Sequence, residues 1–189
     1  MGSLLSAAKP DLDEEQWLFV RNSALRDAAV WKTEFGIVRD PSGVGVERNL
    51  FRYLPMPVTV RHSLGAAFAE LVRVLAAARL AGSTVQLSSA VPLPAGFSSA
   101  LSATGVTVTV ETEADWLSRA GRGELATSRI RLIGGDRTAF CEGTNGNPDF
   151  AVYASPVTTA GRVELLPFLH EQAISITAHR FGNPDELSI

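Results

Sequence analysis

The chain has 189 residues, a net charge of −3 and hydrophobic side chains at 46% of its positions, enough for one well-buried domain with an attached segment and one expected core. Lys and Arg are scattered rather than clustered, so neither nucleic acid nor an anionic membrane is an expected partner. No apolar run reaches the roughly 18 residues of a membrane span, and the start lacks the basic region and long apolar core of a signal peptide, so the expected location is cytoplasmic. The single cysteine, Cys141, excludes an internal disulfide, and three scattered histidines offer no metal-ligand spacing.

Residues 1–9 read as a mobile start. Asp11, Asp13, Glu14 and Glu15 then place carboxylates where a helix N-terminus favours them. Trp17, Leu18, Val20, Leu25, Val30, Trp31 and Phe35 are too irregular for one long amphipathic helix, and two short helices are expected, the second stopped at Gly36. Asp40, Pro41, Ser42 and Gly43 supply turn chemistry. This segment cannot bury both tryptophans by itself, so it packs on the body that follows or docks elsewhere.

Residues 47–53 alternate polar and apolar side chains, as a strand or edge segment would, before Pro55 and Pro57 interrupt any ladder. The stretch that organises the chain spans residues 57–91. The β-branched run Val58, Thr59 and Val60 is followed by an Ala/Leu-rich helix over residues 66–81. Its apolar stripe is Leu64, Phe68, Leu71, Leu75 and Ala78, with Glu70, Arg73 and Arg79 mostly off it. Gly82 stands where a left-handed residue ends a helix, and residues 84–88 return as a second strand, giving a parallel β-α-β unit.

The alternation continues. A short helix over residues 97–103 ends at Gly105, residues 106–110 form the clearest strand, and residues 113–120 another helix. Residues 129–133 are a strand closed by Gly134 and Gly135. Residues 136–148, rich in Gly, Asn and Asp, read as a loop, residues 150–154 as a buried strand, and residues 159–172 as a helix with His170 in its last turn. Residues 174–177 are the last extended run. The expected fold class is α/β, a Rossmann-like open, mostly parallel sheet. It has a helical connecting segment over residues 1–46, an α/β domain over 47–172, and a C-terminal strand and tail over 173–189.

The chemistry is sparse. The first β-α turn, Arg61 to Gly65, supplies one glycine, so the dinucleotide fingerprint is absent, as is a phosphate-cradling lysine motif. Cys141 sits without a nearby basic partner to activate it. His62 reads as a solvated loop histidine. Glu111, Glu113 and Asp115 cluster at a strand end, where such sheets bind ligands, and they serve equally as the first turn of the next helix. An autonomous small-molecule binding protein or enzyme using that strand end is one functional reading. His179, Arg180, Phe181 and Gly182 combine a cation, an aromatic and a permissive glycine on an extension its own core does not require, which points to contact with another domain.

A family resemblance gives the other reading. It rests on Asp40, Pro41 and Ser42, then residues 47–53 (ERNLFRY), residues 57–61 (PVTVR), residues 152–157 (VYASPV), residues 165–169 (LLPFL) and residues 175–182 (SITAHRFG). In order and spacing these resemble the C-terminal region of bifunctional proline utilization A proteins, with actinobacterial-type members nearest. The resemblance implies a parent that oxidises proline with FAD and then oxidises L-glutamate γ-semialdehyde with NAD. It also implies that this region is an aldehyde dehydrogenase-like nucleotide-binding fold that has lost catalysis and acts as a lid on the channel between active sites. Its partner would be the catalytic aldehyde dehydrogenase domain, fused or in trans. Ser175, Ile176, Thr177, Ala178, His179, Arg180, Phe181 and Gly182 carry over as interdomain contact residues, with no catalytic, cofactor-binding or metal residue in the chain itself. The segments bearing the nucleophilic cysteine, the acidic general base and the flavin barrel are not within these residues, and the isolated chain is expected to be inactive.

Overall fold

A computed structural model describes residues 2–44, 47–177, 179–180 and 183–184. Five strands form one parallel sheet: β2 (Val58–His62), β3 (Val85–Ser89), β4 (Thr107–Val110), β5 (Arg129–Ile133) and β6 (Ala151–Tyr153). Their order is β4-β3-β2-β5-β6, so the chain builds outward from β2 to one edge, returns, and builds to the other. That reversal beside the first strand is the doubly wound arrangement expected of a Rossmann-like sheet. No helix among the described residues is long and apolar enough to cross a membrane.

Alternation along the strands sends Val58, Val60, Val85, Leu87 and Ile133 to one face and Ile130 and Leu132 to the other. Two cores result where one was expected, because a central parallel sheet must be covered on both sides. The larger takes the helices α3 (Phe68–Ala81) and α4 (Ala95–Ala103). The smaller takes α5 (Glu113–Gly121) and α6 (Arg137–Gly143), with Trp116 stacked on Phe140 at 5.8 Å between ring centroids. Helix α6 lies where a loop was expected. Asp136 caps it by accepting from the amides of Thr138 at 2.7 Å and Ala139 at 3.3 Å, and Phe140 anchors it in the core.

The N-terminal segment departs most from expectation. Residues 2–8 are a helix, α1 (Gly2–Ala8), whose Leu4 and Ala8 are buried against α3 and α4. A single helix of 17 residues, α2 (Glu14–Val30), replaces the two short ones. The Asp13 carboxylate accepts from the Gln16 amide and the Gln16 side chain accepts from the Asp13 amide, a capping box that fixes its start. Its last turn widens into a π-turn (Trp31–Phe35), closed by the Gly36 amide on the Trp31 carbonyl at 2.8 Å. Trp31 packs against the larger core, and Lys9 lies 5.3 Å over the ring of the half-buried Trp17. Docking on the body therefore accounts for Trp31, while Trp17 meets Lys9 of its own segment and Leu18 and Leu25 stay 42% and 59% exposed.

This docking changes α3. Ala69, Leu71, Val72, Val74, Leu75, Ala76, Ala77, Ala78 and Ala81 are all buried, so the helix has no solvent face of the kind its stripe suggested. Gly82 ends it at φ 72°, the left-handed conformation expected there. Leu64, expected on the stripe, precedes the helix and is exposed. Arg73, expected off it, is fully buried and makes a bidentate pair with the equally buried Asp27 of α2, Nη2 to Oδ1 at 2.8 Å. A second buried pair joins Arg131 of β5 to Glu164 of α7 (Gly161–Leu165) at 3.0 and 3.1 Å. Glu164 also accepts from the Thr158 amide, whose own carbonyl accepts from Arg73 Nε. Guanidinium forks and carboxylates thus bolt α2, α3, α7 and β5 together through one backbone segment.

Outside the sheet, β1 (Glu47–Pro55) and β7 (Leu169–Thr177) pair antiparallel over their whole length, from Glu47 opposite Thr177 to Pro55 opposite Leu169. The helix expected over 159–172 is shorter than that. After α7 comes a 3₁₀ turn (Leu166–Phe168), and His170 sits in β7 opposite Leu54. β6, expected to be buried, is a three-residue edge strand with half-exposed side chains.

Candidate interdomain surface and strand-end cluster

The expected contact strand is not free: β7 uses one of its edges on β1 of the same chain. Successive residues of the ribbon face opposite sides. One side carries Phe51 and Tyr53, and Tyr53 meets the buried ring of Phe35 edge-on at 4.7 Å, so it is seated on the π-turn. The other side carries Leu50, Leu54, Ile174 and Ile176, none of which belongs to either core. Ile176 is 43% exposed. Arg48 and Arg52 lie among them, Arg52 donating from Nε to Gln172 at 2.7 Å.

Ser175 and Thr177 stand on the Phe51 side, with Ser175 donating to Asn49 Oδ1 at 2.9 Å. Beyond them, His179 pairs with Pro184 and Arg180 with Asn183 in a short antiparallel turn. Ala178, Phe181 and Gly182 lie outside the described residues. Ile174 and Ile176 share one side, as an alternating strand requires, but that side is enlarged by Leu50 and Leu54 from a strand more than a hundred positions earlier. No local pattern in residues 175–182 could have disclosed those two.

At the C-terminal ends of the parallel strands, the acidic cluster is engaged in two ways. Thr112 caps α5, accepting from the Asp115 amide at 3.1 Å and donating to its carboxylate. Glu111 takes Arg119 Nε at 3.1 Å, Arg119 Nη2 at 2.6 Å and the Ser88 hydroxyl at 2.6 Å. Burial alone would raise the Glu111 carboxyl, yet the hydrogen bonds from Arg119 and Ser88 and the charges of Arg119 and Arg61 outweigh it and hold the group below its ordinary range. Arg61, fully buried on β2, donates to Ser88 at 2.8 Å, to the Glu111 carbonyl at 3.2 Å and to Glu113 at 2.9 Å. Arg61 and Arg119 lie 5.6 and 5.4 Å from the centroid of Trp116. Glu111 and Glu113 are thereby paired with arginines and Asp115 is taken up in the cap of α5, rather than left as a free acid and base pair. The signal for Arg61 was a charged residue inside a β-branched central strand, where a cation must have a partner.

His62 is the last residue of β2, 3% exposed rather than solvated, with Nδ1 3.3 Å from Ser89 Oγ and Nε2 3.1 Å from the Ala66 carbonyl. Burial lowers its pKa. An open cleft of about 350 Å³ lies beside it, walled by Phe68, Val91, Pro92, Leu93 and Pro94 with Asp11 at its rim. At the start of α3, Glu70 Oε2 accepts from the Ala67 amide at 3.3 Å. A phosphate brought to that helix N-terminus would meet this carboxylate, the opposite of a dinucleotide cradle. Cys141 is half-buried on α6, far in sequence from His62. Among the described residues, no three of His, Cys, Asp and Glu are grouped so as to hold a metal ion.

Neither a family model nor a curated protein matches this chain. Among solved structures it is similar to proline utilization A from Corynebacterium freiburgense, with 28% sequence identity and a TM-score of 0.53 over 86% of the chain. The chain spans 14% of that protein's length, so the likeness is to one portion of it.

Proposed function

We propose that this chain is a non-catalytic lid domain of a proline utilization A type enzyme, supporting NAD-dependent oxidation of L-glutamate γ-semialdehyde and channelling of that intermediate by a catalytic aldehyde dehydrogenase domain. The reading is supported above all by the ribbon. One side sets Leu50, Leu54, Ile174 and Ile176, which neither core uses, among Arg48, Arg52, His170 and Gln172, and the ribbon extends from a body that resembles part of proline utilization A. The contact set Ser175, Ile176, Thr177, Ala178, His179, Arg180, Phe181 and Gly182 continues from the same strand. FAD and NAD would be held by the parent, and this chain by itself would bind neither. Aldehyde oxidation of that kind needs a thiolate, an oxyanion site and a positioned nicotinamide; the half-buried Cys141 and the engaged Glu111 and Glu113 do not form such a set.

The test is reconstitution with the catalytic domain, fused or added separately, reading coupled proline-to-glutamate flux. Leu50→Glu with Ile174→Glu should leave the isolated chain folded and lower that flux, because two buried anchors lost at an interface cost about 2 kcal/mol or more. Unchanged flux would overturn the ribbon as the docking surface. NADH formation by the isolated chain, abolished by Cys141→Ala, would overturn the non-catalytic reading itself.

A further inference from the structure

The sheet has an unguarded edge. Among the described residues β4 pairs only with β3, and no other strand lies on its outer side. The Glu111 amide donates inward to the Ser89 carbonyl at 3.0 Å, so by the two-residue alternation Thr107 and Thr109 also turn their backbone groups toward β3, and Val108 and Val110 turn theirs outward. Proteins normally blunt such an edge with Lys, Pro, a bulge or a covering element. Here the strand reads Thr-Val-Thr-Val, and one residue in five of the chain is charged while residues 80–110 carry no charged side chain at all. The neighbouring helix α4 exposes only Ala95, Gly96, Ser99, Ser102 and Ala103.

We infer that β4 is a self-association edge that takes a second copy of this chain, joining two five-stranded sheets into one across a two-fold axis at Thr109. The register is self-complementary. With Thr109 opposite its own copy on the axis, Val108 of each chain faces Val110 of the other, and these are the residues whose amides and carbonyls point outward. Each such pair exchanges both hydrogen bonds, and the two Thr109 side chains meet at the closer, non-hydrogen-bonded position. A surface that faces itself brings like against like, so an edge and helix without charge carry no repulsion into the contact, and α4 is small enough to approach its copy. The inference uses the opposite end of the molecule's chemistry from the ribbon and stands whether or not the lid reading holds.

The test is sedimentation velocity of the full chain up to about 100 μM, a range that detects micromolar association. A dimer is expected. Val110→Pro removes an amide that the monomer leaves unpaired, so it should weaken dimerisation by about tenfold or more with the thermal midpoint of the monomer unchanged; Thr109→Lys, which opposes two ammonium groups across the axis, should do the same. In a Cys141→Ser background, Thr109→Cys should cross-link the dimer on oxidation and Thr107→Cys should not, since only the former lies on the axis. A chain that stays monomeric over the whole range, a dimer indifferent to both edge variants, or cross-linking at Thr107 in place of Thr109 would each overturn the inference. Capture of the edge by the catalytic domain in a one-to-one complex, with no self-association, would overturn it as well.

Discussion

Removing the carboxylate of Asp27 should be the most damaging single change far from either proposed surface. Asp27→Ala deletes both hydrogen bonds to Arg73, one of them 2.8 Å long, and leaves a guanidinium of zero exposure with, among the described residues, only the Thr158 carbonyl at 3.0 Å. Stranding a buried charge in this way costs about 3–5 kcal/mol. For a chain of this length each kcal/mol moves the midpoint by roughly 2–4 °C, so thermal unfolding should shift down by about 10 °C. The desolvation cost of the pair is itself large, and replacing both residues together, Asp27→Leu with Arg73→Met, should recover most of the loss. Thermal and urea unfolding of both single variants and the double variant form the cycle. A loss below about 1 kcal/mol for Asp27→Ala would mean that water reaches Arg73 and that α2 is not fastened as described.

Other outcomes follow from the same contacts. His62 titrates lower folded than unfolded because of burial, so its contribution is fully present above its unfolded value near 6.5 and is lost as pH falls toward its folded value; His62→Gln should flatten urea-measured stability across that acidic window. Gly134 has φ 69° and a Cβ there would lie 2.9 Å from Ala66 Cβ, so Gly134→Ala should cost about 1–3 kcal/mol in chemical unfolding. Arg131→Met should be worse than Arg122→Met in the same assay, since Arg131 strands Glu164 inside while Arg122 meets Glu124 in solvent.

The parallel sheet was legible because its strands are short β-branched runs separated by helical periodicity, and β2 through β5 fall where that pattern puts them. What escaped was set by distant partners. α3 displays one apolar stripe, yet α2 covers its other sides, and only that docking turns Arg73 inward. Residues 136–148 have turn composition, and the helix within them is held by one cap at Asp136 and one anchor at Phe140. The loose apolar order of α2 reads as broken because it serves a seat between two elements rather than one flat core. At the candidate site, the acidic residues were visible but their neutralising arginines were not, Arg61 lying fifty positions before Glu111 and Arg119 on the next helix. The contact strand was recognised as extended, and its pairing with residues 47–55 was hidden by the length of chain between them.

The same ribbon sets how the molecule yields to force. Glu47 and Thr177 lie opposite each other at its far tip, with Pro55 and Leu169 at the base. A pull on the chain beyond Thr177 therefore loads one cross-strand pair at a time, the zipper geometry, instead of shearing all of them together. The parallel sheet carries no tension until β7 has peeled back to the base, where Arg129 grips the carbonyls of Pro167 and Leu169. A translocating protease or unfoldase drawing on that strand would strip the ribbon first and then meet Arg129 and the buried Phe168 and Leu165 behind it, with the α/β body still intact.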